Sequence, residues 1–218
     1  MTETQEDSQE TQCPVSPEVR EAWLKSQSNK NRSQPNASAS PVELPTDREI
    51  SGIPKLLTDP NSEKEEKWIY PSQKMFFEAM QRKNWNPNAS DMKTIVPIHN
   101  AVNEKAWQEI LDWEKGWGSE SCGGPKLEKF QGDVKKLTPK ARILGLLGYN
   151  KPFDRHDWLV DRCGKKVCYV IDFYNGRSVQ GVPSMYLDVR PKLTAHGAWM
   201  RLYRWSSQAI FQGKTDQQ

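Results

Sequence analysis

The chain has 218 residues, 35% of them hydrophobic and 27% charged, with a formal net charge of +3; this length fits one domain, with or without a tail, and excludes several full-size units. Leu, Ile, Val and Phe together number 41, about 19%, close to the roughly 20% line below which a high net charge would signal disorder; the charge is small, and nine tryptophans supply large apolar surfaces in place of the missing aliphatics. The longest apolar-rich stretch, Ile143 to Tyr149, is far short of the ~20 residues a membrane-spanning helix needs.

Residues 1 to 45 are heavy in Ser, Gln, Asn, Pro and Glu, a composition that does not offset the entropy of ordering a backbone, so a disordered tail is expected there. The tail carries four basic and seven acidic residues, a charge of −3, which leaves 27 basic against 21 acidic, or +6, for residues 46 to 218. Its acidic start has neither the apolar centre of a secretory signal nor the Arg-rich pattern of a transit peptide, and no such address is expected. Within it, Ser16 and Pro17 fit the N-cap and first position of a short helix reaching about Ser26.

The body reads as helices first and strands later. Ser72 is placed to cap a helix that buries Met75, Phe76, Ala79 and Met80 and ends near Trp85. A second helix is expected from Asn100 as N-cap, with Val102, Ala106, Ile110 and Trp113 on one stripe, Trp107 beside it and Gly116 as the stop. A third runs from Thr138 and Pro139 through Ile143, Leu146 and Leu147. The period then changes to two. Asp157 to Cys163 and Lys166 to Phe173 form an expected hairpin around Gly164 and Lys165. Trp158, Val160 and Arg162 would share its core face with Val167, Tyr169, Ile171 and Phe173, and Asp161 would lie opposite Cys168. A third strand spans Met185 to Arg190, and a last helix, about Ala198 to Ile210, carries Trp199, Leu202, Tyr203 and Trp205, with Trp199 and Trp205 read as core. The fold class is α+β: an antiparallel meander of at least three strands packed with about four helices.

Four cysteines at 13, 122, 163 and 168 are too few and too scattered for a disulfide scaffold, and a reducing or mixed compartment fits. Cys163 and Cys168 read as ordinary thiols near a turn rather than a zinc site. The sequence shows no Gly-rich phosphate loop, no Gly-x-Ser-x-Gly and no His-Glu-x-x-His, which leaves nucleotide and hydrolase chemistry without footing. The +6 of the body is spread among 21 acids and forms no stripe, so no nucleic-acid partner is expected. His99 follows the stiff apolar segment Val96-Pro97-Ile98 at an expected helix start. It can be a histidine hydrogen-bonded at a helix N-terminus or an iron ligand whose ring Asn100, Asn103 and Glu104 orient. In the tail, Cys13-Pro14 places a thiolate-forming residue beside a stiff proline, a pattern that suits haem iron.

Together these residues resemble the holocytochrome c synthases, the cytochrome c and c1 haem lyases. The resemblance covers about Thr46 to Trp205. It is carried by Trp68-Ile69-Tyr70-Pro71-Ser72 with Met75 to Met80, Ile98-His99-Asn100 with Asn103-Glu104 and Trp107, Pro139 to Arg142, Pro152 to Trp158 with Val160-Asp161-Arg162, Tyr169 to Asp172, and Leu187 to Pro191. Cys13-Pro14-Val15 is similar to the family's haem-regulatory motif, present here once.

The resemblance implies a haem lyase domain over residues 46 to 218. Its substrates would be haem b and an apocytochrome c or c1, the haem vinyl groups being joined to the thiols of a Cys-x-x-Cys-His motif that this chain itself lacks. It implies the mitochondrial intermembrane space, peripheral on the anionic inner membrane. The alternative is a haem-binding sensor or carrier without catalysis. By position, His99 is the implied axial ligand to haem iron, with Trp68, Tyr70, Asn100, Cys13 and Pro14 as further haem-binding residues. His99, Glu104 and His156 are the implied catalytic set. Arg155 and Arg162 either help lower the acceptor thiol pKa or pair with Asp154, Asp157 or Asp161. One departure stands out: Cys168 occupies a position where family members commonly carry arginine, which removes either a cross-strand ion pair with Asp161 or an arginine reaching a haem propionate.

Overall fold

A four-stranded sheet occupies the second half of the chain, with its central strands covered on both faces, as the unbroken burial from Tyr169 to Phe173 shows. The computed structural model describes residues 43–57, 66–132, 138–176 and 185–215. Among them the order is β1 (Ile50–Pro54), β2 (Lys67–Ile69), α1 (Gln73–Arg82), α2 (Met92–Glu114), β3 (Lys126–Gly132), α3 (Pro139–Leu146), β4 (Asp154–Arg162), β5 (Lys165–Asn175), β6 (Met185–Pro191) and α4 (Ala195–Thr215). Strands β3, β4, β5 and β6 form an antiparallel meander in sequence order, and β1 pairs with β2 in a separate two-stranded sheet. The α+β meander packed with four helices is thus present. The tail helix expected at Ser16 to Ser26, and Cys13 and Pro14, lie outside the described residues.

The core face of the hairpin is the expected one: Trp158, Val160 and Arg162 are buried on the side of Val167, Tyr169, Ile171 and Phe173. The turn is not. It falls on Cys163 and Gly164, both with positive φ (49° and 85°), as a two-residue turn matched to strand twist requires. Arg162 therefore faces Lys165 and Asp161 faces Lys166, while Cys168 lies opposite Leu159. A shift of two positions leaves the faces intact but cancels the expected Asp161 to Cys168 pairing. Asp161 has its own cation in Lys166, 3.1 Å away, so an arginine at 168 would not be its partner.

Helices first and strands later also needs correction. Strands β1 and β2 precede every described helix, and β3 lies between α2 and α3; β1 (Ile-Ser-Gly-Ile-Pro) and β2, of three residues, are too short to show a period. Helix α2 starts eight residues before the expected cap. Pro97 sits inside it and removes one main-chain donor, yet Met92 and Val96 before the proline continue the buried stripe of Val102, Ala106, Trp107 and Ile110 after it. Burial on both sides outweighs the lost hydrogen bond. The expected stop holds, since the helix ends at Glu114 and Gly116 takes φ +77°. Ser72 caps α1 through Met75 N (3.2 Å), and Thr138 caps α3 through Ala141 N (3.1 Å), both as expected.

The core gathers Ile53, Val102, Ala106, Trp107, Ile110, Leu127, Trp158, Tyr169, Ile171 and Met200 around the inner face of the sheet, with Trp113 partly buried against it. Two groups expected inside are not. Helix α1 fully buries none of its residues, and Trp199 and Trp205 on α4 are exposed; Ile143, Leu146 and Leu147, in the second half of α3 and just after it, are exposed too. An apolar stripe at helical spacing marks a face that needs cover; the start of α3 is tied to the sheet through Thr138, which donates to Asp172 and accepts from Arg190, while Ile143 and Leu146 further along it stay exposed.

Cys163, expected as an ordinary thiol, is instead part of a disulfide. Cys122 and Cys163 are bonded, with Cα atoms 5.6 Å apart, and Cys168 is free. The turn residue Cys163 is thereby tied to the 3₁₀ turn Ser119–Cys122 that follows α2. Such a bond belongs to an oxidising setting, against the reducing or mixed compartment read from the cysteine count. None of the helices among the described residues is long and apolar enough to cross a membrane.

Candidate functional site

The first half of α2 is fixed to the start of the body by carboxylates and amides. Glu104 Oε1 accepts from Gly52 N at 2.7 Å and from the Tyr70 hydroxyl at 2.9 Å. A Cβ at position 52 would stand 2.6 Å from Glu104 Oε2, so the approach of strand to carboxylate depends on glycine. One turn earlier, Asn100 Nδ2 donates to Glu49 Oε2 at 2.7 Å. Tyr70 is buried; burial first, and then the Glu104 carboxylate, push its hydroxyl well above the ordinary phenol range, so it remains a neutral donor.

His99 projects from the same half of α2. Its Nδ1 lies 3.4 Å from Asn100 Oδ1, and Asn103 Nδ2 is 3.3 Å from either ring nitrogen. The tautomer with Nδ1–H donating to Asn100 satisfies this geometry and leaves Nε2 its lone pair. Phe76 of α1 meets the ring edge-on at 5.0 Å and Tyr70 at 6.4 Å. Burial lowers the His99 pKa, with the Asn100 hydrogen bond opposing and the nearby His156 adding to the fall. The ring is a neutral imidazole held by its neighbours, the form that binds a metal.

His156 arrives from β4. Its Nε2 is 3.3 Å from Asp154 Oδ2, its ring meets Phe173 edge-on at 5.2 Å, and Gly132 of β3 passes close enough that a Cβ there would touch the ring at 3.5 Å. Burial would raise the Asp154 pKa, but the His156 hydrogen bond and charge, the Arg155 main-chain N–H (2.7 Å) and Lys83 hold it below the ordinary carboxylate range. His156, Asp154 and Lys83 all act electrostatically on His99. The end of α1, the first half of α2 and the start of β4 thus border one region.

His99, Asn100, Tyr70 and Glu104 lie in one region, which His156 borders, and Glu104 reaches Gly52 and Tyr70 rather than the His99 ring. Trp68 is a buttress: its Nε1 donates to Leu127 O at 3.1 Å, its ring meets Phe130 at 5.0 Å, and Lys55 Nζ lies 5.8 Å from its centre. Sequence reading missed Asp154 as the partner of His156, although their spacing of two in a strand places both on one face. It also missed Glu49 and Gly52, whose contacts with α2 span about fifty residues and leave no local signature.

The arginines divide. Arg155 Nε and Nη2 donate to Asp157 Oδ1 at 3.0 and 2.8 Å, the structural alternative. Arg162 pairs with none of Asp154, Asp157 and Asp161. Its partner is the buried Glu114 at the end of α2, which it grips through Nε and Nη2 while the Tyr169 hydroxyl donates to the same carboxylate. Its Nη1 is 2.9 Å from His196 Nε2, and its guanidinium lies 5.3 Å from the centre of the Trp117 ring.

Among the described residues no group of three or more His, Cys, Asp or Glu side chains could by itself hold a metal ion. A single neutral histidine flanked by aromatic edges suits an iron whose remaining ligands come from a porphyrin and a second chain.

A family model described as Cytochrome c/c1 heme lyase matches residues 1–205. A Schizosaccharomyces pombe protein provisionally named holocytochrome-c1 synthase is 71% identical over 204 residues, which are 94% of this chain and 94% of that protein. The holocytochrome c-type synthase of Gallus gallus is 46% identical over 178 residues, 77% of this chain and 63% of the relative. The holocytochrome-c synthase of Saccharomyces cerevisiae is 40% identical over 176 residues, 70% and 64% respectively. No solved protein structure matches the chain.

Proposed function

The chain belongs to the cytochrome c/c1 haem lyase family, whose members attach haem to apocytochrome, and from that premise we propose that it joins the vinyl groups of haem b to the cysteine thiols of a Cys-x-x-Cys-His motif on apocytochrome c, c1 or both. The observation that carries this reading is His99, a neutral imidazole oriented by Asn100 and Asn103 on a rigid helix. His99 supplies one axial ligand to the iron and the histidine of the acceptor motif supplies the other. Two axial bonds fix the ring and bring the thiols to the vinyls, and orientation of this kind removes a large part of the barrier. The addition needs no oxidant or reductant: sulfur bonds to one vinyl carbon and the thiol proton ends on the other.

His156 takes and returns that proton, its ring held by Asp154 at 3.3 Å. Glu104 positions. Its Oε1 already accepts two hydrogen bonds, which keep Tyr70 and Gly52 against the helix below His99. Residues 46 to 218 form the catalytic domain, and residues 1 to 45 a tail whose Cys13-Pro14 binds haem separately. The intermembrane space is supported by the disulfide, which belongs in an oxidising compartment, and the protein acts there peripherally on the inner membrane.

The test is co-expression with an apocytochrome in a host that lacks its own cytochrome c maturation, followed by detection of covalent haem on the acceptor. We expect product from the unaltered chain, almost none from His99→Ala, and reduced but measurable product from Glu104→Gln. Full product from His99→Ala removes the proposed ligand.

A further inference from the structure

An ordinary surface helix is apolar on the side it packs and polar on the side it shows to water, and α4 departs from this pattern. Its inner face is docked. Met200 is fully buried with its sulfur 3.5 Å from Arg162 Nη2, Arg201 Nε donates to Pro191 O at 2.9 Å, Arg204 stacks over Trp113 at 4.2 Å, and Tyr203 meets Trp117 at 5.6 Å. Gly197 makes the close approach possible, since a Cβ there would fall 1.9 Å from Lys192 O. The face turned away carries Ala195, Ala198, Trp199, Leu202 and Trp205 at helical spacing. Trp199 is 58%, Leu202 53% and Trp205 68% exposed, and Leu193 just before the helix stands out as well. A docked helix with this outer stripe is a preformed surface for a partner.

The charge around the stripe selects the partner. From Val189 to Ser207 the sequence contains Arg190, Lys192, Arg201 and Arg204 and no Asp or Glu. Arg190 is committed to the buried Asp172, and Lys192, though exposed, lies 3.2 Å from Asp157; Arg204 is turned inward over Trp113, and Arg201, half-buried and bonded to the uncharged Pro191 O, lies along the flank of the stripe with its charge unpaired by a carboxylate among the described residues. Tryptophans on a helix that carries cations and lacks acids match the interface of an anionic bilayer: the rings sit at headgroup depth and the flank cation Arg201 lies on the side of the lipid phosphates. We propose that the outer face of α4, with Leu193, lies in the plane of an anionic lipid surface and holds this protein there. The proposal rests on the peripheral-membrane reading above and assigns it an element.

The test uses the full chain and sedimentation with vesicles of phosphatidylcholine alone or mixed with phosphatidylserine or cardiolipin. Trp199→Ser, Leu202→Ser and Trp205→Ser are combined in one variant; all three side chains are exposed, and circular dichroism and the thermal midpoint check that the fold is kept. The unaltered chain is expected to bind the anionic vesicles, less so as salt rises, and the triple variant to bind them at least about tenfold more weakly. Equal binding by the folded triple variant overturns the assignment to α4 while the peripheral reading stands. No binding by the unaltered chain overturns both. A concentration-dependent dimer that the triple variant abolishes, without vesicle binding, makes the face a contact between copies and also overturns the proposal.

Discussion

At the scale of single residues, the arrangement separates charges that hold the fold from groups left neutral for chemistry. Arg162, Glu114 and Tyr169 meet in the core and satisfy one another, and removal of one member of such a set leaves an uncompensated buried charge. His196 sits at its edge. Burial first, and then the adjacent Arg162, lower its pKa, and Nε2 accepts from Arg162 only while the ring is neutral. Below the ordinary imidazole value of about 6.5 the unfolded chain takes up a proton at this position that the folded chain refuses, so stability falls as pH falls. Urea midpoints at pH 7.5 and 5.5 check this: the unaltered chain should lose more on acidification than His196→Gln, whose amide oxygen can still accept from Arg162. His99 shifts in the same direction, so the variant should remove only part of the pH dependence. An identical acid loss in both proteins would contradict the account.

Elements with a strong local signal were legible in the sequence, and those defined by distant partners were not. The Ser72 and Thr138 caps, the Gly116 stop and the core face of the hairpin followed from side-chain type and spacing. The start of α2 did not, because the proline that locally argues for a boundary is overruled by burial of Met92 and Val96. The site divides in the same way. His99 and Asn100 are adjacent and Asn103 is one turn away, whereas the Glu104 contact with Gly52 and the Phe76 contact with His99 depend on packing. The Cys122–Cys163 bond also belongs to this scale, because it links the hairpin turn to the segment after α2 across a sequence separation of 41 residues. Closing a loop of that size restricts the unfolded chain by about 4 kcal/mol in the entropic view. The double variant Cys122→Ser with Cys163→Ser should therefore unfold at a lower urea midpoint, with a loss of about 2–4 kcal/mol. An unchanged midpoint would show that the bond is absent or without consequence.

Across the whole molecule, one sheet separates two kinds of surface. Its inner face and α2 make a core in which tryptophans fill volume that aliphatics would otherwise occupy, and the open end of α2 presents a neutral histidine near a histidine–carboxylate pair. Helix α4 packs beside the other end of α2 and turns its apolar stripe outward. The nine tryptophans serve more than one purpose: Trp107 and Trp158 are core, Trp68 is a buttress, and Trp199 and Trp205 face out. In the proposed function haem is held through His99. The absorption spectrum of the haem-loaded full chain tests it most directly, compared among the unaltered protein, His99→Ala and Cys13→Ala. His99→Ala should lose most of the haem bound to the catalytic domain and its axial-ligand signature, while Cys13→Ala loses at most the haem held separately by the tail and keeps that signature. Loss of the signature in Cys13→Ala together with an unchanged spectrum in His99→Ala would contradict this and leave a haem carrier in place of a lyase.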